Sequence, residues 1–189
     1  MQNTTRLGML TPSSNTVLEP VIADMLRDAP GVSCHFSRFR VLQISLGQGS
    51  QAQFELEPML AAAELLADAK VHSICWNGTS AGWLGFGQDE RMCAAITERT
   101  GIPAHSAVLG FNALFAEKGV KRLGLVSPYI EDVQRRIIAN YAGLGIETVA
   151  DERLDISENF AFAEVSVETV EAMCRRVAQT GHASKPKLI

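Results

Sequence analysis

This sequence predicts an α/β protein with parallel sheets flanked by helices, and three observations carry that prediction. Short apolar runs alternate with longer segments of helical spacing, Gly and Pro punctuate the boundaries, and polar clusters stand where three of the runs end. Apolar strands alternating with helices assemble as βαβ units around a parallel sheet covered on both faces. Pro12-Ser13-Ser14-Asn15 follows the run 6–11, Asn77-Gly78-Thr79-Ser80 follows 71–76, and Pro128-Tyr129 follows 122–127. In an open parallel sheet, ligands bind beyond the carboxyl ends of the strands. Helix N-termini there offer unpaired N–H groups and partial positive charge, which suit an anion such as a carboxylate.

The elements follow in order. After the first strand, residues 16–27 put Val17, Val21, Ile22, Met25 and Leu26 near helical spacing, up to the stop at Pro30-Gly31. Residues 32–41 alternate, Val32, Cys34 and Phe36 against Ser33, His35 and Ser37, as in a strand with one half-exposed face. Residues 43–52, with Gly47 and Gly49, read as loop, and the Ala-, Leu- and Glu-rich stretch 54–69 as a helix. A strand over 71–76 leads to a helix that includes 90–99, closed by Gly101-Ile102-Pro103 ahead of a very short strand near Ala104. A helix over 106–118 ends at Gly119.

The pattern then restarts, with strand 122–127, helix 130–144, strand 147–154 and helix 167–179. Two pseudo-symmetric lobes are expected, 1–119 and 120–189, with their strand tips facing a shared cleft. Lys185-Pro186-Lys187-Leu188-Ile189 reads as the start of one more strand, so the second lobe is expected to be truncated; a naturally short chain with a covered edge is the other option. An exposed edge would favour pairing between copies, which makes a homo-oligomer one option.

Composition excludes several function classes. The chain has 189 residues, 47% hydrophobic and 20% charged, with a net charge of −4, as in a globular rather than a disordered protein. No basic stripe marks a nucleic-acid face. The polar start 1–6 lacks the apolar segment of a signal peptide, and no apolar run nears the roughly 20 residues of a membrane helix. Neither nucleic acid nor membrane is expected as a partner, and a cytoplasmic location is the default. Cys34, Cys75, Cys93 and Cys174 form no Cys-x-x-Cys pair and read as reduced thiols, mostly in the core, rather than as disulfides or a metal site.

Each candidate residue has a plain alternative. Ser13, Ser14, Asn15 and Thr16 could simply cap the following helix, with Glu19 completing a capping box on Thr16, or they could hold a ligand. Gly78 would let a ligand approach the backbone, with Thr79 and Ser80 aiming hydroxyl and N–H groups at it. Gly82, Gly85 and Gly87 follow, but without Gly-Lys-Ser/Thr or Gly-x-Gly-x-x-Gly order the nucleotide signal is weak. Tyr129 could donate its phenol to a carboxylate or merely pack. His72 and His105 lack partners at metal spacing and read as structural. Cys75, two residues before a strand tip in an apolar stretch, reads as core rather than as a nucleophile.

The segment 7–16, Leu-Gly-Met-Leu-Thr-Pro-Ser-Ser-Asn-Thr, resembles the N-terminal segment of maleate cis–trans isomerases. Asn77-Gly78-Thr79-Ser80 resembles the dioxyanion-hole segment of arylmalonate decarboxylase, and the segment 125–133 is similar to a stretch found in both. Both belong to the aspartate/glutamate racemase superfamily. The resemblance implies a pocket between two lobes, no cofactor, no metal, and a small carboxylate or dicarboxylate substrate passing through an enediolate-like intermediate. It implies substrate binding by Pro12, Ser14, Asn15, Gly78, Thr79, Ser80, Tyr129 and Asn159, with Gly78 leaving room for a bulky group. Gly78 occupies the first-lobe cysteine position, as in the decarboxylase pattern, whereas Asn15 and Asn159 match amide positions of the isomerase pattern. The catalytic cysteine is expected beyond Ile189. The alternative is a carboxylate-binding protein without catalysis, or an inactive homologue lacking that cysteine.

Overall fold

A computed structural model describes residues 4–47 and 54–180, together with the backbone of 187–188. The first half comprises β1 (Thr5–Pro12), α1 (Leu18–Met25), β2 (Val32–Phe39), α2 (Leu56–Asp68), β3 (Ser73–Trp76), α3 (Ala81–Leu84), α4 (Phe86–Thr100), β4 (Ala104–Ser106) and α5 (Ala107–Glu117). The second comprises β5 (Arg122–Ser127), α6 (Glu131–Gly143), β6 (Glu147–Arg153), a 3₁₀ turn (Phe160–Glu164), α7 (Val167–Thr180) and β7 (Lys187–Leu188). The strands form two parallel sheets, ordered β2-β1-β3-β4 and β6-β5-β7. The α/β class and the parallel sheets flanked by helices agree with the sequence pattern.

The central strands carry the core. Leu10 and Trp76 lie opposite each other in register, and with Ile74 they are almost fully buried. The face that holds Gly8 is pressed closely by α2. A Cβ on Gly8 would stand 3.0 Å from a Val71 methyl and 3.2 Å from Leu66 Cδ1, so the small residue sets how near α2 lies to β1. Gly101 closes α4 in the left-handed conformation at φ +70°, with its N–H on Thr97 O, the glycine cap foreseen for that helix. His72 proves structural: its Nδ1 accepts the Arg6 N–H at 2.9 Å.

The structure decides three points that the sequence left open. The apolar stripe of α1 exists but covers no core: none of its residues is buried, and Met25 is 72% exposed. Thr16 and Glu19 form no capping box. Asn15 Oδ1 instead accepts the N–H groups of Val17 and Leu18 at 3.0 and 2.9 Å, while Glu19 pairs with Arg38 at 2.7 Å. The glycines after Ser80 form no extended loop, because Gly82 lies inside α3 and Gly87 inside α4, with only Gly85 (φ +103°) breaking the two helices apart. At the far end, Lys187 and Leu188 pair with Leu123 and Gly124 as the expected strand. Gly49 and residues 185, 186 and 189 of the predicted loop and strand lie outside the described residues.

The halves meet through α3. It packs against α6, where Asn140 Nδ2 donates to Gly82 O at 2.8 Å and Ile137 lies over Gly82. A second seam joins the loop after β2 to the segment after β6: Ile44 N donates to Ser157 O and Asn159 N to Leu42 O, at 2.8 and 2.9 Å. One continuous buried cluster runs from Leu10 and Trp76 through Trp83 to Val133, Ile137 and Tyr141.

Asp89, in the first turn of α4, is the unusual member of this interior. It is 1% exposed, and burial raises its carboxyl to about 6, against a smaller opposing effect of its hydrogen bond with Ser106. The native state therefore holds this proton more tightly than the unfolded chain. Asp89 contributes stability that is full below about pH 4 and lost as pH rises through about 6. We expect Asp89→Asn to gain relative stability over that interval by up to roughly 3 kcal/mol. Urea midpoints of both proteins at pH 4 and pH 7 measure the difference; an equal difference at the two pH values contradicts the assignment.

Candidate active site

Four strand tips converge on one cavity. Pro12 and Asn15 come from the end of β1, and Asn77, Gly78, Thr79 and Ser80 from the end of β3. Tyr129 follows β5 and Asn159 follows β6; all of these line a cavity of about 210 Å³. Ser14 does not line it, but accepts Asn159 Nδ2–H at 2.7 Å and donates to Val41 O at 2.7 Å. The hydroxyl of Ser14 thus ties the two halves together beside the cavity. Asn159 is buried and anchored at both ends, by its backbone N–H on Leu42 O and by its amide on Ser14.

The turn after β1 is held by a residue that sequence reasoning missed. Arg38, at the tip of the neighbouring strand, donates from Nη1 to Asn15 O at 2.7 Å and to Ser13 O at 3.0 Å, and from Nη2 to Glu19 at 2.7 Å. Its Cα partner in register is Thr11, which explains the reach. No spacing in the chain signals this pairing, because the two strands are separated by a helix. Asn15 uses its carbonyl oxygen to cap α1, and its amide nitrogen takes no part in that cap.

The Thr79 and Tyr129 hydroxyls hydrogen-bond directly across the junction of the two halves. Burial pushes the Tyr129 phenol above its usual range, with the Thr79 bond acting weakly the other way. At neutral pH the phenol therefore stays protonated and remains able to donate. Behind it, Tyr129 N donates to Ser127 Oγ at 3.3 Å, Ser127 Oγ bonds Gln134 Oε1, and Gln134 Nε2 donates to Asp151 at 2.8 Å. Gln134 is 1% exposed, so this relay holds the Tyr129 turn from inside the second half.

Aromatic rings form the wall. Phe54, Trp83, Tyr129 and Phe162 touch in sequence, with ring centroids 6.1, 5.0 and 5.5 Å apart and edge-on geometry. With Val41 and Ile44 they make the rest of the lining apolar, which lowers the local dielectric and strengthens any hydrogen bond to a bound anion. Phe162 and Trp83 were readable in the sequence only as apolar residues near polar turns.

Gly78 has a different role from the one expected. A Cβ there would sit 1.9 Å from Cζ2 of Trp76, inside the indole ring. Its missing side chain makes room for Trp76, not for a bulky ligand group; only its backbone faces the cavity. Asn77 likewise turns inward, with Nδ2 on Cys75 O at 3.0 Å and near Met9 Sδ. Ser80 Oγ accepts Trp76 Nε1–H at 3.4 Å. Cys75 lies outside the lining. Burial, then the charge of Asp89, raises its thiol to about 11, and Cys93 is pushed to about 12 for the same reasons. Both stay protonated at neutral pH, which fits packing rather than nucleophilic roles. Among the described residues no three His, Cys, Asp or Glu side chains gather to hold a metal ion, and no helix is long and apolar enough to cross a membrane.

The family model for arylmalonate decarboxylase matches residues 16–189. The chain belongs to the arylmalonate decarboxylase family. The chain is 26% identical over 168 residues to a maleate isomerase of Geobacillus stearothermophilus, covering 82% of this chain and 65% of that protein. A maleate isomerase of Pseudomonas putida is 28% identical over 170 residues, covering 84% and 66%. The chain thus spans about two-thirds of the length of these relatives. The fold matches a Nocardia farcinica maleate cis–trans isomerase carrying a covalently bound succinylcysteine intermediate, at TM-score 0.81 and 22% identity, over 92% of this chain and 73% of that one. It matches a liganded arylmalonate decarboxylase mutant equally well, at TM-score 0.81 and 23% identity, over 96% and 75%.

In this member of the arylmalonate decarboxylase family, the tip of β3 is constrained by Trp76. Gly78→Ala is expected to cost about 1–3 kcal/mol through overpacking. A fall in the urea midpoint, with a change in Trp fluorescence, is the expected result; an unchanged midpoint contradicts the role assigned to Gly78.

Proposed function

We propose that the cavity binds a small carboxylate or dicarboxylate and supports cofactor-independent isomerase- or decarboxylase-type chemistry through an enediolate-like intermediate. The observation that carries this reading is that hydroxyl- and amide-bearing residues from four strand tips line one cavity with an aromatic wall. Membership of the arylmalonate decarboxylase family and the maleate isomerase relatives support it.

The physical argument is one of charge. When a C–C bond to a carboxyl group breaks, CO₂ leaves and the electron pair stays on carbon, delocalised into the remaining carboxylate. Negative charge then grows on two oxygens. Donors already aimed at that position stabilise it without reorganising, and more strongly in a water-poor site. Thr79, Ser80 and the N–H groups of their turn would serve one oxygen, and Tyr129 the other. The Thr79–Tyr129 bond would open, each hydroxyl turning to the carboxylate. Asn15 and Asn159 would hold the second carboxyl group of a dicarboxylate, with Pro12 shaping that end and Ser14 holding Asn159. Gly78 would contribute its backbone. Protonation of the carbon completes the step.

Binding is the property that tests this reading most directly. Calorimetric titration with phenylmalonate, maleate and inorganic phosphate should show saturable binding of the carboxylates alone. Thr79→Ala and Asn159→Ala should each weaken it by about tenfold, the loss expected for one hydrogen bond to a charged group. Preference for phosphate, or carboxylate binding that neither substitution changes, would remove the basis of the proposal.

A further inference from the structure

We propose that a second cavity, behind the Thr79–Tyr129 bond, is a binding site for an uncharged single-ring phenol. The cavity measures about 290 Å³ and lies between α5, α6 and the end of β5. It stands independently of the carboxylate reading, although Thr79 and Tyr129 line both cavities.

Tyr141 of α6 is the residue that points to a ligand. It lines this cavity, is 6% exposed, and its hydroxyl makes no hydrogen bond with any described residue. That oxygen is open rather than sealed, which sets it apart from the unpartnered buried oxygens of Thr11, Asp89, Asn112 and Thr148. The Tyr141 ring packs against Phe86 and Phe115, with centroids 5.2 and 6.1 Å away, and neither of these lines the cavity. The side of Tyr141 left uncovered is therefore the one turned to the cavity. A polar group enclosed without a partner in the fold forfeits a hydrogen bond, and a ligand oxygen entering from the cavity restores it.

The remaining lining defines the body of that ligand. Val108, Phe111, Leu125, Val126, Pro128 and Ile137 supply apolar surface, and no Lys, Arg, His, Asp or Glu among the described residues lines the cavity. A charged ligand would lose its hydration there without a counter-ion, so the occupant is neutral. An apolar cavity of roughly 150 Å³ already accommodates benzene. The larger space beside Tyr141 takes one substituted ring. A phenol suits the partner at its end, because its hydroxyl both donates and accepts, as that of Tyr141 does. Phe111, 42% exposed, marks where the cavity opens to solvent and gives the ring an apolar entry.

The probe is p-cresol, neutral at pH 7, with p-xylene as the isostere that lacks the hydroxyl. Titration of the full chain, followed by methyl NMR, should show saturable p-cresol binding that moves the Val108 and Ile137 signals. Ile44, which lines the first cavity, should stay unmoved. The phenol should bind about three- to tenfold more tightly than p-xylene, as one neutral hydrogen bond allows. Tyr141→Phe removes a hydroxyl that the fold does not use, so the variant should keep or raise its urea midpoint while losing that preference. Equal affinity for the two probes in the native protein, a preference that survives Tyr141→Phe, shifts confined to Ile44, or no saturable p-cresol binding would each overturn the assignment.

Discussion

The structure depends most on the contact between Tyr129 and the turn after β3. Tyr129 packs edge-on against Trp83, 5.0 Å away, while its hydroxyl bonds Thr79. Apolar and polar parts of one side chain thus close the same junction. An aromatic ring with a polar tip suits this position, since the ring is desolvated by the wall and the hydroxyl finds its partner. Ser14 and Asn159 close the junction at its other end. Between these two ties lies the cavity, so the features that join the halves are also those that shape the site.

The site's chemistry and the protein's core meet at the tip of β3. Trp76 is buried to 1% exposure, packs tilted against Phe39 with ring centroids 5.0 Å apart, and fills the space in which a side chain at Gly78 would stand. Its indole N–H reaches Ser80. The backbone of residues 77–80 is therefore shaped from below by packing before any ligand arrives, which is the condition for preorganised donors. Gln134, bridging Ser127 and Asp151 beneath Tyr129, performs the equivalent task in the second half.

Asp89 runs against this economy. It is a buried carboxyl in a region otherwise filled by Met92, Cys93 and Ile96; burial raises it, and burial first and its charge second raise two neighbouring thiols. A position in the first turn of a helix favours negative charge, which accounts for part of its tolerance there.

The order and type of nearly every described element were legible in the sequence, because apolar runs and glycine stops such as Gly101 act through local backbone physics. The polar clusters at strand ends were legible for the same reason, so Asn15, Thr79 and Tyr129 could be singled out before their positions were known, whereas Asn159 was named only through the family resemblance. Long-range geometry was not. Whether Glu19 caps its own helix or pairs with Arg38, and whether α1 buries its stripe, depends on which strands lie side by side. The role of Gly78 rests on where the Trp76 indole falls, and the exceptional state of Asp89 on which side chains enclose it. Chain order alone determined where turns and donors occur; only three-dimensional packing decided what each of them touches, since desolvation and steric exclusion are properties of neighbours brought together by the fold.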